Sequence, residues 1–158
     1  MIAIPMAVVL LAAGTSFRPD AQQLFEGCLA DRNGPTGRLY GCKDWNSTVT
    51  ALPGVRQPGD AMEYARSGLR TTLTGKLREE QVPLALGGRD RAGLLVTPAD
   101  AVASESFGFA EAVVLPTASG LQLATCASRV DGKAERDRCF RALNYFATRG
   151  LPDGVLID

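Results

Sequence analysis

The sequence predicts an α+β domain: an antiparallel sheet of hairpins with two helices packed against it and two local disulfides. Three observations carry that expectation. Short apolar runs follow one another between Gly, Pro and Asn turn clusters. Only two stretches show a long helical stripe. Four cysteines fall in two pairs, Cys28 with Cys42 and Cys126 with Cys139, fourteen and thirteen positions apart. Strands that run consecutively, with helices that do not alternate with each of them, point to α+β. A length of 158 residues favours one domain, and the chain divides into a signal peptide over 1–16 and a single domain over 17–158.

Residues Met1 to Ser16 carry no charged side chain, and the run from Met6 to Ala13 is apolar and ends in Ala12-Ala13-Gly14-Thr15-Ser16. An apolar core followed by small residues fits a secretory leader, because the signal peptidase admits only small side chains before the cut. The basic opening of such a leader is missing, so a buried N-terminal strand or helix is the rival reading. Spanning a bilayer takes about 20 apolar residues, more than this run offers, and no cysteine follows Ala13 to take a lipid. No membrane anchor is expected.

Leu24 to Ala30 and Arg38 to Cys42 flank Asn33-Gly34-Pro35-Thr36-Gly37, a hairpin signal. Pro35 is the midpoint between Cys28 and Cys42, so folding there brings the sulfurs face to face. A helix over Asp20 to Ala30 competes. Trp45 to Leu52 has a modest strand signal, with Trp45 as a core or rim anchor. Asp60-Ala61-Met62-Glu63 matches a capping box. Met62, Ala65, Leu69 and Leu73 then recur at helical spacing, predicting a helix over about 60–74 that stops at Gly75. Gly68 inside it costs about 1 kcal/mol against Ala.

Val82 to Leu86, Gly87-Gly88-Arg89-Asp90 and Ala92 to Val96 read as strand, turn, strand, with Pro83 suited to an edge. Phe107 to Leu115, the turn 116–120, and Leu121 to Val130 form another hairpin. Glu111 interrupts its apolar face. A buried carboxylate is costly unless paired, so Glu111 is expected at a rim, or with Ala110, Ala112 and Val114 forming the core face instead. Ala134 to Arg149 is a helix whose stripe is Cys139, Phe140, Leu143, Phe146 and Ala147, closed by Gly150 and Pro152. Both helices are expected on one face of the sheet.

Four cysteines permit three connectivities, and the elements favour local pairing. Each bridge should contribute about 3 kcal/mol in the chain-entropy picture. A zinc site would want cysteines two to four residues apart, and that spacing is absent. No metal or cofactor is expected. The 17 basic and 17 acidic residues balance and are interspersed, unlike a nucleic-acid footprint. The bias of Arg over Lys suggests a GC-rich bacterial genome.

The chain has no histidine. That removes the serine and cysteine relays built on imidazole and the paired-His zinc motif. Gly-x-Ser-x-Gly, Ser-x-x-Lys and the P-loop are also absent. Carboxylate pairs remain the one acid/base option, with Glu79, Glu80, Glu105 and Glu111 as candidates for glycan hydrolysis. The expected role is a secreted or periplasmic, non-catalytic module that binds another envelope or extracellular protein. Two alternatives stand beside it: an inhibitor or immunity-type protein presenting the Asn33 to Gly37 turn, and a carboxylate-dependent hydrolase.

Overall fold

Each apolar run in the middle of the chain becomes a strand because a turn-forming pair bounds it. The computed structural model describes residues 19–151; the leader expected over 1–16 and the tail 152–158 lie outside them. A short helix α1 (Pro19–Gln22) precedes β1 (Leu29–Arg32), β2 (Gly37–Gly41) and β3 (Trp45–Ala51). Helix α2 (Pro58–Thr72) follows, then β4 (Leu77–Leu86), β5 (Arg89–Pro98), α3 (Ala101–Ser106), β6 (Phe109–Thr117), β7 (Gly120–Ser128) and α4 (Lys133–Arg149).

The seven strands form one sheet in the order β1-β2-β3-β7-β6-β5-β4, and every pairing is antiparallel. Gly87 and Gly88 both have positive φ, 60° and 77°. That is the backbone of a two-residue turn matched to strand twist, so β4 and β5 pair along ten residues each. Pro83 lies on the edge strand, as anticipated. The β6–β7 turn is shorter than the sequence suggested, because Thr117 pairs with Gly120.

The helices do not share a face. Phe109, Val113, Leu115, Ala124 and Cys126 face α4 together with Cys139, Ala142, Leu143 and Phe146. Ala110, Ala112, Val114 and Leu123, the alternate positions, face α2 and α3 through Ala61, Met62, Ala65, Ala103 and Phe107. β6 is therefore apolar on both sides, with seven consecutive buried residues from Phe109 to Leu115. Period-two alternation vanishes wherever both faces are covered, which is why one face alone appeared to be the core.

Helix α2 begins earlier than the capping-box reading placed it. Gln57 is the N-cap, without a side-chain bond, and Pro58 opens the first turn. Proline suits that position because its fixed φ is helical and the N–H it lacks would have no partner there. Asp60 falls inside the first turn, where its charge meets the positive end of the helix. At the other end the helix stops at Thr72 with Leu73 as cap, and Gly75 lies two residues beyond, at φ 82°.

Gly68 is exposed with nothing within 4 Å of the position a Cβ would take. Gly68→Ala should therefore raise stability by about 1 kcal/mol, read as a higher midpoint in thermal melts. A lower midpoint would show that the helix is not continuous through this turn.

On α4 the buried stripe is Cys139, Ala142, Leu143, Tyr145 and Phe146. Phe140, expected in it, is 40% exposed; one residue past Cys139 it is rotated about 100° off the buried face. The proposed helix over Asp20 to Ala30 survives only as the four residues of α1. The segment after it lays Phe25 into an aromatic cluster with Tyr40, Trp45, Tyr145 and Phe146. Trp45 is a core residue, with the Arg138 guanidinium 4.9 Å from its ring. Burial holds the Tyr40 phenol neutral by pushing its pKa to about 12.

Candidate functional site

Both cysteine pairs are bridged locally: Cys28 to Cys42 and Cys126 to Cys139. In the β1–β2 ladder Leu29 pairs with Gly41, which sets Cys28 opposite Cys42 one step outside it. That bridge closes the open end of the hairpin, at the far end from the Asn33–Gly37 turn. The second bridge fastens α4 to β7, with both sulfur-bearing residues 0% exposed. No helix of the described residues is long and apolar enough to cross a membrane.

The two faces of the sheet are covered unequally. On the α4 side, α4 and the segment carrying Phe25 cover the sheet from β1 to β4. On the other side α2 packs on β5, β6 and β7. Among the described residues no helix covers this side of the β1–β3 wing. Leu29, Asp31, Leu39, Gly41, Asn46, Thr48 and Thr50 point to this side, by alternation from the buried Ala30, Tyr40, Trp45 and Val49, with Asp31 paired opposite Leu39. Leu29 is 55% exposed, and the Thr48 and Thr125 hydroxyls hydrogen-bond to each other across the strands.

Where the wing meets the end of α2 lies a cleft of about 310 Å³. Its wall includes Leu39, Cys42, Lys43, Leu73, Phe107 and Arg129. A second opening, about 500 Å³, lies beyond the other end of α2, between Pro58 and Met62 and the paired strand positions Pro83 and Ala92 of the β4–β5 hairpin.

No protein-family model, curated protein or solved structure matches this chain. Its function is therefore read from geometry.

The candidate carboxylates do not converge. Glu79 and Glu80 are strand neighbours and point to opposite faces. Glu79 is clamped by Arg66 at 2.9 Å and Arg70 at 3.0 Å, tying the edge strand to α2. Glu105 is exposed on α3. Of the four clefts described, those beside α2 and those lined by Glu79 and by Tyr145, none has two carboxylates in its wall.

Glu111 is not at a rim. It is 8% exposed, on the α4 face, beneath the first turn of that helix. Its partner, which the sequence reading missed, is Arg136, 3.9 Å away. The same guanidinium holds Asp131 through two bonds of 2.6 and 2.8 Å and lies 4.3 Å from the Phe109 ring. Burial raises the Glu111 pKa against the opposing pull of Arg136, while the hydrogen bonds from Arg136 lower that of Asp131.

A carboxyl that prefers its proton in the folded state stabilises the fold most below its unfolded pKa, and loses that advantage as pH rises through the folded value. Asp131 does the reverse, losing its contribution as pH falls through its depressed value. Glu111→Gln should accordingly be more stable than the parent at pH 7, where the parent's buried carboxyl is charged against its preference, with the gain shrinking toward pH 4. Urea melts across that range check it; a gain that grew on acidification would refute the assignment.

Proposed function

We propose that this domain is a non-catalytic binding module of the cell envelope or extracellular space, and that it docks another protein on the bare side of the β1–β3 wing. One observation carries the reading: among the described residues no helix covers this face of three of the seven strands, β1 to β3, and a cleft borders the uncovered part. Leu29 and Leu39 offer apolar contact there, Asn46, Thr48 and Thr50 offer hydrogen bonds, and Lys43, Asp44 and Arg129 form a mixed rim. An apolar centre with a polar margin is the usual anatomy of a protein interface. Two disulfides fit an oxidising compartment.

The test is capture from envelope extract with the parent protein and with Leu29→Asp/Leu39→Asp side by side. A partner retained by the parent and lost by the variant supports the wing. Equal recovery by both, or no partner at all, sinks the reading.

A specific observation also favours the inhibitor reading. The turn between β1 and β2 is exposed yet firmly held. Asn33 N donates to the Gly37 carbonyl at 3.1 Å, and Ala51 N to the Thr36 carbonyl at 3.2 Å. Thr36 Oγ1 donates in turn to the Ala51 carbonyl at 3.2 Å. A rigid projecting loop loses little entropy on binding. Replacing residues 33–36 with a two-residue Asn-Gly turn should abolish inhibition of the target enzyme; unchanged inhibition would eliminate this alternative.

A further inference from the structure

β4 closes one margin of the sheet, and half of that margin is open to further pairing. The Gly87-Gly88 turn makes Leu86 and Arg89 a hydrogen-bonded pair, so every second position back from Leu86 bonds to β5. Ala99 N donates to the Lys76 carbonyl at 2.8 Å, which carries the same phase to the other end of the strand. Leu77, Glu79, Gln81, Pro83 and Ala85 therefore turn their backbone groups outward, away from β5. Pro83 has no N–H to offer, so it blunts the edge near the turn. From Leu77 to Gln81 the donors and acceptors are intact, and among the described residues no strand lies beyond them.

We propose that two copies of this chain pair through this half of β4, antiparallel, about a two-fold axis at Glu79. Leu77 then exchanges backbone bonds with the second copy's Gln81, and Glu79 with its own counterpart. In this register Arg78 stands directly opposite the second copy's Glu80, and Glu80 opposite its Arg78. Both side chains are exposed, and among the described residues neither has an ion pair. They meet at non-hydrogen-bonded positions, where facing side chains are closest and opposite charges attract. The facing Glu79 carboxylates are each held by Arg66 at 2.9 Å and Arg70 at 3.0 Å, so their charge is compensated within each copy.

Shifting the axis weakens the pairing. Centred on Glu80, it sets two exposed carboxylates face to face and aims Leu77 at Pro83, which cannot donate. Centred on Gln81, it sets Glu79 against Pro83 and leaves Arg78 and Glu80 facing Leu84 and Val82. The contact is also closed, because each copy uses the same edge once and has none left to extend. β1, at the other margin, is only four residues long. The β1–β3 wing lies at the opposite end of the sheet from β4. It stays open in the pair, so this inference is independent of whether a protein docks there.

Sedimentation equilibrium of the oxidised protein, from micromolar to millimolar concentration, should show a reversible monomer–dimer step and no larger species. Arg78→Glu alone and Glu80→Arg alone should each weaken dimerisation about tenfold or more, because every facing pair becomes like-charged. An equimolar mixture of the two variants should recover the association, since each supplies the charge that the other lacks.

Gln81→Pro tests the backbone. The Gln81 N–H points outward and takes no part in the β4–β5 ladder, so this variant should keep the native circular dichroism and lose the dimer. A parent that stays monomeric throughout would overturn the proposal. So would charge variants that dimerise like the parent, or a mixture that does not recover association.

Discussion

Phe25→Ala is expected to lower stability by about 3–5 kcal/mol, the range for truncating a buried aromatic without local collapse. The ring is 1% exposed and meets four others, with centroids 5.3 Å from Tyr40 and 6.0 Å from Trp45, Tyr145 and Phe146. It is the point at which the first described segment, the β1–β3 wing and α4 touch. Neither the wing nor α4 can move into the space without leaving the sheet. Loss of cooperativity in the near-ultraviolet circular dichroism should accompany the drop. Phe25→Leu, which keeps most of the volume, should recover much of it. A loss for the alanine variant below about 1 kcal/mol would mean that the aromatic cluster is not the junction described.

The double replacement Cys126→Ala/Cys139→Ala should cost about 3 kcal/mol, the entropy of closing a loop of this size in the unfolded chain. The bridge joins β7, which pairs with both β3 and β6, to the middle of α4. Its loss therefore loosens the helix from the strand that unites both halves of the sheet. Urea denaturation without reductant measures the change. The corresponding Cys28/Cys42 pair closes a loop of nearly equal length, 14 against 13 positions, so its loss should cost about the same in this picture. Clearly unequal losses would show that native-state contacts, and not the unfolded chain alone, set the contribution of each bridge.

Much of this architecture is legible in the residues because local signals coincide with it. The cysteine pair centred on Pro35, the Gly87-Gly88 turn, and the stripe of α4 closed by Gly150 each carry their own geometry. Other features depend on what packs where, and alternation cannot register that. Glu111 looked like an interruption because Arg136, twenty-five positions later, could be matched to it only after α4 was placed on the sheet. The capping-box reading failed because Pro58-Gly59 looked like loop when the proline was opening the helix. Helix α3 was missed for its length; Asp100 caps it by accepting from Ala103 N at 2.8 Å, yet six residues give no repeat to detect. The bare wing was invisible for a different reason: exposed Leu and Thr in a strand read the same whether a helix covers them or not.

The placement of β3 beside β7 has a consequence for how the chain assembles. Ser47 donates to the Thr125 carbonyl at 2.6 Å across 78 positions of sequence, so β3 gains its outer sheet neighbour only once β7 has been made. Closing so long an interval is slow compared with forming hairpins. The N-terminal hairpin, tied at its base by its own pair of sulfurs, is then the prefabricated part, and the arrival of the last strand is the event that joins two subassemblies into one molecule.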